Sequence, residues 1–186
     1  MITRKSFYYI RHGQTDWNLA GKLQGNANIP LNETGIAQAQ AARGKLAGQP
    51  ITTICSSPLV RARKTADILN AALNCPIVEI DELHECDFGP YEGAVSPGWL
   101  ADWLKGKTQG VPKEVEPYPA FMARAQRAIN AALAHDGPVL IVAHGGIYQP
   151  INLLLPREQQ WVLPNCLPVR HDPPRKNGAA WRKHCL

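Results

Sequence analysis

Tyr9-Ile10-Arg11-His12-Gly13-Gln14-Thr15-Asp16-Trp17-Asn18 is the stretch from which the rest of the chain can be read. Ser6 to Ile10 predicts a short strand, and Arg11 and His12 stand at its carboxyl end. Gly13 then lets the backbone turn away. Open α/β sheets bind their ligands at such ends. A permanent cation beside a group that is neutral and nucleophilic near pH 7 suits an anionic electrophile, above all a phosphate. Taken alone, an Arg-His pair is more often a surface cation and a cap, so the remaining sequence has to decide.

Outward from this stretch, strands and helices alternate. A Gly- and Asn-rich loop covers 19–31, with backbone amides that could face a ligand. Asn32 then reads as the N-cap of a helix from Glu33 to Ala47, with Ile36, Ala39, Ala42 and Leu46 as its stripe and Gly48 as its stop. Ile51 to Cys55 predicts a second strand. Ser56-Ser57-Pro58 follows as a cap with proline at the first helical position, opening a helix to Leu73. Pro76 to Ile80 predicts a third strand, followed by the acidic loop DELHECDFGPYEG. Residues 94–119 read as a small helical excursion and candidate lid, opened by Ser96-Pro97 and carrying Trp99, Leu100, Trp103 and Leu104. A helix over Pro119 to Ala134 leads to Val139–Val142, an apolar run expected of a central strand covered on both faces. After Ala143-His144-Gly145-Gly146, a helix is expected from Ile147 to Leu154, and two edge strands in 161–186. The pattern predicts one α/β domain over residues 1–186, a mostly parallel sheet with helices on both faces.

The net charge of +5 and pI near 9.0 come from scattered basic residues, locally dense only at Arg170, Arg175, Lys176, Arg182 and Lys183. This favours a solvated tail over a nucleic-acid stripe. Five cysteines without a CxxC pair fit neither a disulfide framework nor a zinc site. No apolar run approaches membrane-spanning length and no signal core follows Arg4-Lys5, so a reducing, cytoplasmic setting is expected. The sequence leaves oligomeric state open.

His12 and His144 each follow a predicted strand and precede a glycine, which puts two imidazoles at the same sheet edge. Arg61 falls in the first turn of its helix, where the dipole disfavours a cation by a few tenths to about 1 kcal/mol unless an anion is bound. Glu85, among Asp81, Glu82, Asp87 and Glu92, is a candidate proton donor, although the residues alone do not separate it from Glu82.

RHGQTDWN, LNETG, SSPLVRARKTA, LHECDFGPYEG and VAHGG stand in the order and loose spacing of the histidine phosphatase superfamily, the phosphoglycerate mutase-like proteins. The resemblance spans Phe7 to Ile147. It implies a three-layer α/β/α sandwich, with His12 as the nucleophile that becomes phosphohistidine. Arg11, Arg61 and His144 would grip the phosphoryl oxygens, and Glu85 would serve as acid and then base. Asn18 would also touch the phosphate, Thr15 would join it in binding the substrate, and the loop around Gln24 would line the substrate side of a small phosphorylated metabolite, with no metal or other cofactor required. Phosphoglycerate mutases carry a longer insertion after the acid and basic residues beside it. Here Cys86 and Asp87 occupy those places, so the chain resembles the small phosphatase branch, which includes the α-ribazole and broad-specificity phosphatases. Val115-Glu116-Pro117 departs from the Gly-Glu-Ser block of many members of that branch, although Arg124 fits the helix that follows.

Four rivals remain at this stage. Cys55 and Arg61 have the spacing of a cysteine phosphatase loop, but Pro58, Leu59 and Val60 suit it badly, and Cys55 reads as a buried strand residue. A metallohydrolase could be built from His12, Asp16, His84 and His144. The others are mutase-type phosphoryl transfer and a catalytically silent phospholigand-binding protein on the same fold. His135, His171 and His184 read as surface residues.

Overall fold

The computed structural model describes residues 1–95, 97–160, 162–176 and 179–186. The expected cap at Ser96, the start of the last segment at Trp161 and the turn at Asn177-Gly178 lie outside the described residues. The elements are β1 (Phe7–Arg11), α1 (Asp16–Leu19), α2 (Glu33–Leu46), β2 (Thr53–Ser56), α3 (Val60–Leu73), β3 (Ile77–Glu79), α4 (Leu100–Trp103), α5 (Tyr118–Ala134), β4 (Val139–Ala143), α6 (Gln149–Asn152), β5 (Val169–Asp172) and β6 (Arg182–Cys185).

The six strands form one sheet in the order β3-β2-β4-β1-β5-β6. The first four run parallel, and β5 and β6 are antiparallel additions. Alternation in β1 and β4 explains the three layers. Phe7, Tyr9, Val139, Ile141 and Ala143 pack with Phe121, Ala125, Ala128 and Ile129 of α5 on one face. Tyr8, Ile10, Leu140 and Val142 pack with Ala39, Ala42 and Leu46 of α2 and Ala66 and Leu69 of α3 on the other. From the adjacent strands β1 and β4 the chain leaves in opposite directions, to β2 and to β5. That reversal opens a crevice at their carboxyl ends. Among the described residues no helix is long and apolar enough to cross a membrane.

Several local expectations need correction. Helix α3 begins at Val60, so Pro58 precedes it. Its cap comes from another segment, the loop residue Asn28, whose Oδ1 accepts the Val60 N–H at 2.9 Å. The predicted helix over 147–154 contracts to Gln149–Asn152, with Pro150 in its first turn, where the missing N–H leaves no helical bond unmade. Only β6 is an edge strand on its side. Strand β5 pairs with β1, Phe7 opposite His171, so His171 is wholly buried against the Phe7 ring. The basic residues Arg170, Arg182 and Lys183 lie in this paired segment and do not form a loose tail.

Gly13 also serves differently from the expectation. It is absent from the glycines of positive φ; a Cβ there would sit 2.4 Å from Gly35 O, and one on Gly35 would sit 2.1 Å from Gln14 O. The two glycines let the turn after His12 lie directly on the start of α2. Alanine is about 1 kcal/mol better than glycine within a helix, whereas forcing atoms into a packed contact costs about 1–3 kcal/mol. Because the clash is with backbone, the second effect should win. Gly35→Ala is expected to lower stability in urea unfolding by about 1–2 kcal/mol; an unchanged or raised midpoint would contradict this packing.

Candidate active site

The parallel register sets Arg11 opposite Ala143, and the His12 N–H donates to Ala143 O at 3.0 Å. The next residue on each strand is therefore a histidine, and the His12 and His144 rings lie 5.2 Å apart, centroid to centroid. Both are buried. His12 Nδ1 is 2.7 Å from Gly13 O; a carbonyl can only accept, so Nδ1 carries the ring proton and Nε2 keeps its lone pair. His144 Nε2 lies 2.8 Å from Ser57 Oγ, at the carboxyl end of the neighbouring strand β2. When that hydroxyl donates to Nε2, the His144 proton sits on Nδ1, which is buried without a partner.

Two guanidiniums face these rings. Arg61 is fully buried and donates to Ala27 O and Gly25 O, both at 2.7 Å. The 24–28 loop thus turns carbonyls toward Arg61 where the sequence suggested amides for a ligand. Arg11 donates to Leu163 O at 3.2 Å. Nε of each arginine is buried and unpartnered. Burial lowers the Arg61 pKa to about 10 and lowers that of Arg11 as well, each against the pull of Glu85. Burial first, and Arg61 next, hold His12 and His144 well below the usual imidazole range.

Glu85 reaches the same cavity. Its Oε2 accepts the Gly146 N–H at 2.9 Å and its Oε1 the Cys86 N–H at 3.0 Å. The expected acidic neighbours are engaged elsewhere: Glu82 faces Arg127, and Glu92 accepts the Asn26 N–H. Glu85 acts on the charge of both Arg11 and Arg61, and Glu92 acts on Arg61 as well. Asn18 lines the cavity from α1, its Oδ1 fixed by the Thr15 N–H and by Asn165, which leaves the amide NH₂ for a ligand. Gln24 also lines it. Thr15 does not; its hydroxyl caps α1 from a buried position. The cavity, about 250 Å³, is walled further out by Leu23, Phe88, Leu100, Trp103 and Leu104.

The other candidates separate from this cluster. The Cys55 thiol is buried against α5, 3.8 Å from Ala132 O, and burial pushes it up to about 12. Asp16 accepts from Asn32, and His84 Nδ1 bonds Glu85 O. Among the described residues no three His, Cys, Asp or Glu side chains gather as metal ligands. Ser57 and Asn165 were missed in the sequence. Ser57 could have been found from its place just past β2, level with the two histidines. No sequence signal marks Asn165, whose Nδ2 donates to His12 O at 2.7 Å.

Three buried histidines bear on stability: His12, His144 and His171, the last pushed down to about 3, chiefly by burial. The unfolded chain protonates them near pH 6.5 while the folded chain keeps them neutral. Stability is therefore full above about pH 6.5 and is lost as the pH falls below it, by up to about 1.4 kcal/mol per pH unit for each group. Urea midpoints should drop between pH 7.5 and 5.5, and His171→Gln should flatten that slope; an acid slope unaltered by the substitution would contradict this account.

Residues 7–161 match the family described as the histidine phosphatase superfamily (branch 1). A Bacillus subtilis protein named uncharacterized phosphatase PhoE is 37% identical over 142 residues, 73% of this chain and 69% of that protein. A Proteus mirabilis protein named probable phosphoglycerate mutase GpmB is 33% identical over 148 residues, 74% of this chain and 68% of that one. The crystal structure of TTHB049 from Thermus thermophilus superposes with a TM-score of 0.77 at 26% identity, covering 98% of this chain and 99% of the other. On the family match, and with His12, Arg61, Glu85 and His144 gathered at one sheet edge, the chain belongs to the histidine phosphatase superfamily.

Proposed function

We propose that the chain is a metal-independent phosphomonoesterase acting in two steps through phosphorylated His12, on a small phosphorylated metabolite in a reducing, cytoplasmic setting. The observation that carries this reading is the set of three buried, unpartnered nitrogens, Arg11 Nε, Arg61 Nε and His144 Nδ1, beside a histidine whose Nε2 lone pair is free. Leaving a buried donor unsatisfied costs about 1–3 kcal/mol each. Phosphoryl oxygens are acceptors of the kind these groups need.

In the first step the His12 Nε2 lone pair attacks phosphorus as the ester P–O bond breaks. Gly13 O supports the positive charge growing on the ring through Nδ1–H. Arg11, Arg61, His144 and the Asn18 amide stabilise the equatorial oxygens. Glu85 gives its proton to the departing alkoxide; each of its oxygens accepts one backbone N–H and keeps a second lone pair that can carry that proton. In the second step water attacks phosphorus, the carboxylate takes the water proton, and the P–N bond breaks to release phosphate and restore neutral His12.

The outer apolar wall supports an alcohol half with apolar surface. Besides Arg11 and Arg61, Lys22 is the one cation among the described residues lining the cavity, a poor match for a carboxylated, doubly phosphorylated mutase ligand. The five cysteines are all unpaired, consistent with a reducing compartment.

With p-nitrophenyl phosphate and chelator present, turnover should persist, His12→Ala should cut it by at least about a thousandfold, and Cys55→Ser should leave it within about twofold. The phosphoenzyme should be stable to alkali and labile to acid. Loss with chelator would favour a metal mechanism, loss in the cysteine variant would move the nucleophile, and tight binding without turnover would support the silent protein. Glu85→Gln should slow an alkyl phosphate at least about tenfold more than p-nitrophenyl phosphate, whose phenolate departs with little help from a proton; equal losses would remove Glu85 from the acid role. Against a panel of phosphate esters, aryl esters should exceed phosphoglycerates in kcat/KM, and the reverse order would favour the mutase reading.

A further inference from the structure

Glu85 sits in the loop between β3 and α4, in a part that takes no place in the sheet; the loop's own backbone bridge, Val95 to Lys22, lies ten residues further on. Arg124, on α5, supplies what the loop lacks. Its Nη1 donates to Glu82 O at 2.8 Å and His84 O at 2.9 Å, and its Nη2 to Glu85 O at 3.1 Å. The remaining two N–H groups go to Glu116, Nε to Oε1 at 2.9 Å and Nη2 to Oε2 at 2.7 Å. A guanidinium has five N–H donors, and all five are used. Three of them hold the backbone immediately before and at Glu85.

Glu116 closes the other side. Its Oε2 also accepts the Asp87 N–H at 3.2 Å, and its own N–H donates to Asp87 O at 2.8 Å. The backbone is therefore held on both flanks of Glu85, at 82, 84 and 85 by Arg124 and at 87 by Glu116. The pair is nearly buried, with side chains 10% and 16% exposed. Neither residue lines the cavity. Phe121 lies under the Arg124 guanidinium, 5.2 Å from ring centroid to Cζ, so the fork has a floor as well as partners.

We propose that Arg124 and Glu116 form a clamp whose task is to position the Glu85 carboxyl over the departing oxygen, making Arg124 a positioning residue for proton transfer. The inference rests on Glu85 being the proton donor. Lysine cannot take this place, because three donors on a point charge do not reproduce a planar five-donor fork.

The test measures kcat/KM of the full chain on p-nitrophenyl phosphate and on 2-phenylethyl phosphate, whose alkoxide needs a proton to leave. Arg124→Lys should lose at least about tenfold more on the alkyl ester than on the aryl ester. Placed on Glu85→Gln, it should cost no more than about twofold further on the alkyl ester, because the group it positions is already gone. Equal losses on the two esters, or losses that multiply in the double variant, would overturn the clamp and leave Arg124 a purely structural residue. If Arg124→Lys does not fold, Glu116→Gln carries the same comparison with the same signs, and a uniform loss there overturns the proposal. Failure of the Glu85 reading is visible separately, as equal losses on both esters in Glu85→Gln alone.

Discussion

The pairing of β1 with β4 is the constraint on which the rest depends. Parallel strands in this register bring Arg11 level with Ala143, so the residues that follow, His12 and His144, emerge side by side from the centre of the sheet. Sliding one strand by one residue would move every side chain to the opposite face and separate the rings. The two core clusters guard against that slip, because both faces of both strands are filled. Core packing and site geometry are here the same requirement.

The site concentrates positive charge where the protein can least solvate it. Arg61 is wholly buried, and its carbonyl partners, Ala27 and Gly25, satisfy hydrogen bonds without neutralising its charge. Glu85 is the acid that acts on both arginines. On the proposed reading, a cavity lined by two guanidiniums, the neutral His12 ring and one carboxyl, with the His144 ring buried beside His12, is preorganised for a dianion and stores that readiness as polar groups left unpaired. The same burial keeps His12 unprotonated, as its proposed role of nucleophile requires.

Much of this architecture was legible in the sequence where the cause is local. The apolar run Val139–Val142, the Asn32 cap and the Gly48 stop each placed an element within a residue or two. The motif order named Arg11, His12, Arg61, Glu85 and His144, of which the fold brings the first four to line one cavity and sets the His144 ring beside His12. What stayed hidden depends on neighbours distant in the chain. Helix α3 is capped by Asn28 rather than by its own serines, His171 is buried because β5 pairs with β1, and Gly13 is required by Gly35 rather than by its own torsion angle. Ser57, Asn165 and Arg124 likewise acquire their roles only when separate segments meet.

The central claim is that one tetrahedral anion satisfies the unpartnered nitrogens of Arg11, Arg61 and His144 at once, within bonding reach of His12 Nε2. A crystal structure of the protein with orthovanadate tests it most directly. The account predicts vanadium bonded to His12 Nε2, with equatorial oxygens accepting from both guanidiniums and from His144 Nδ1. Vanadate bound elsewhere, or held in this cavity without those three donors, would contradict it.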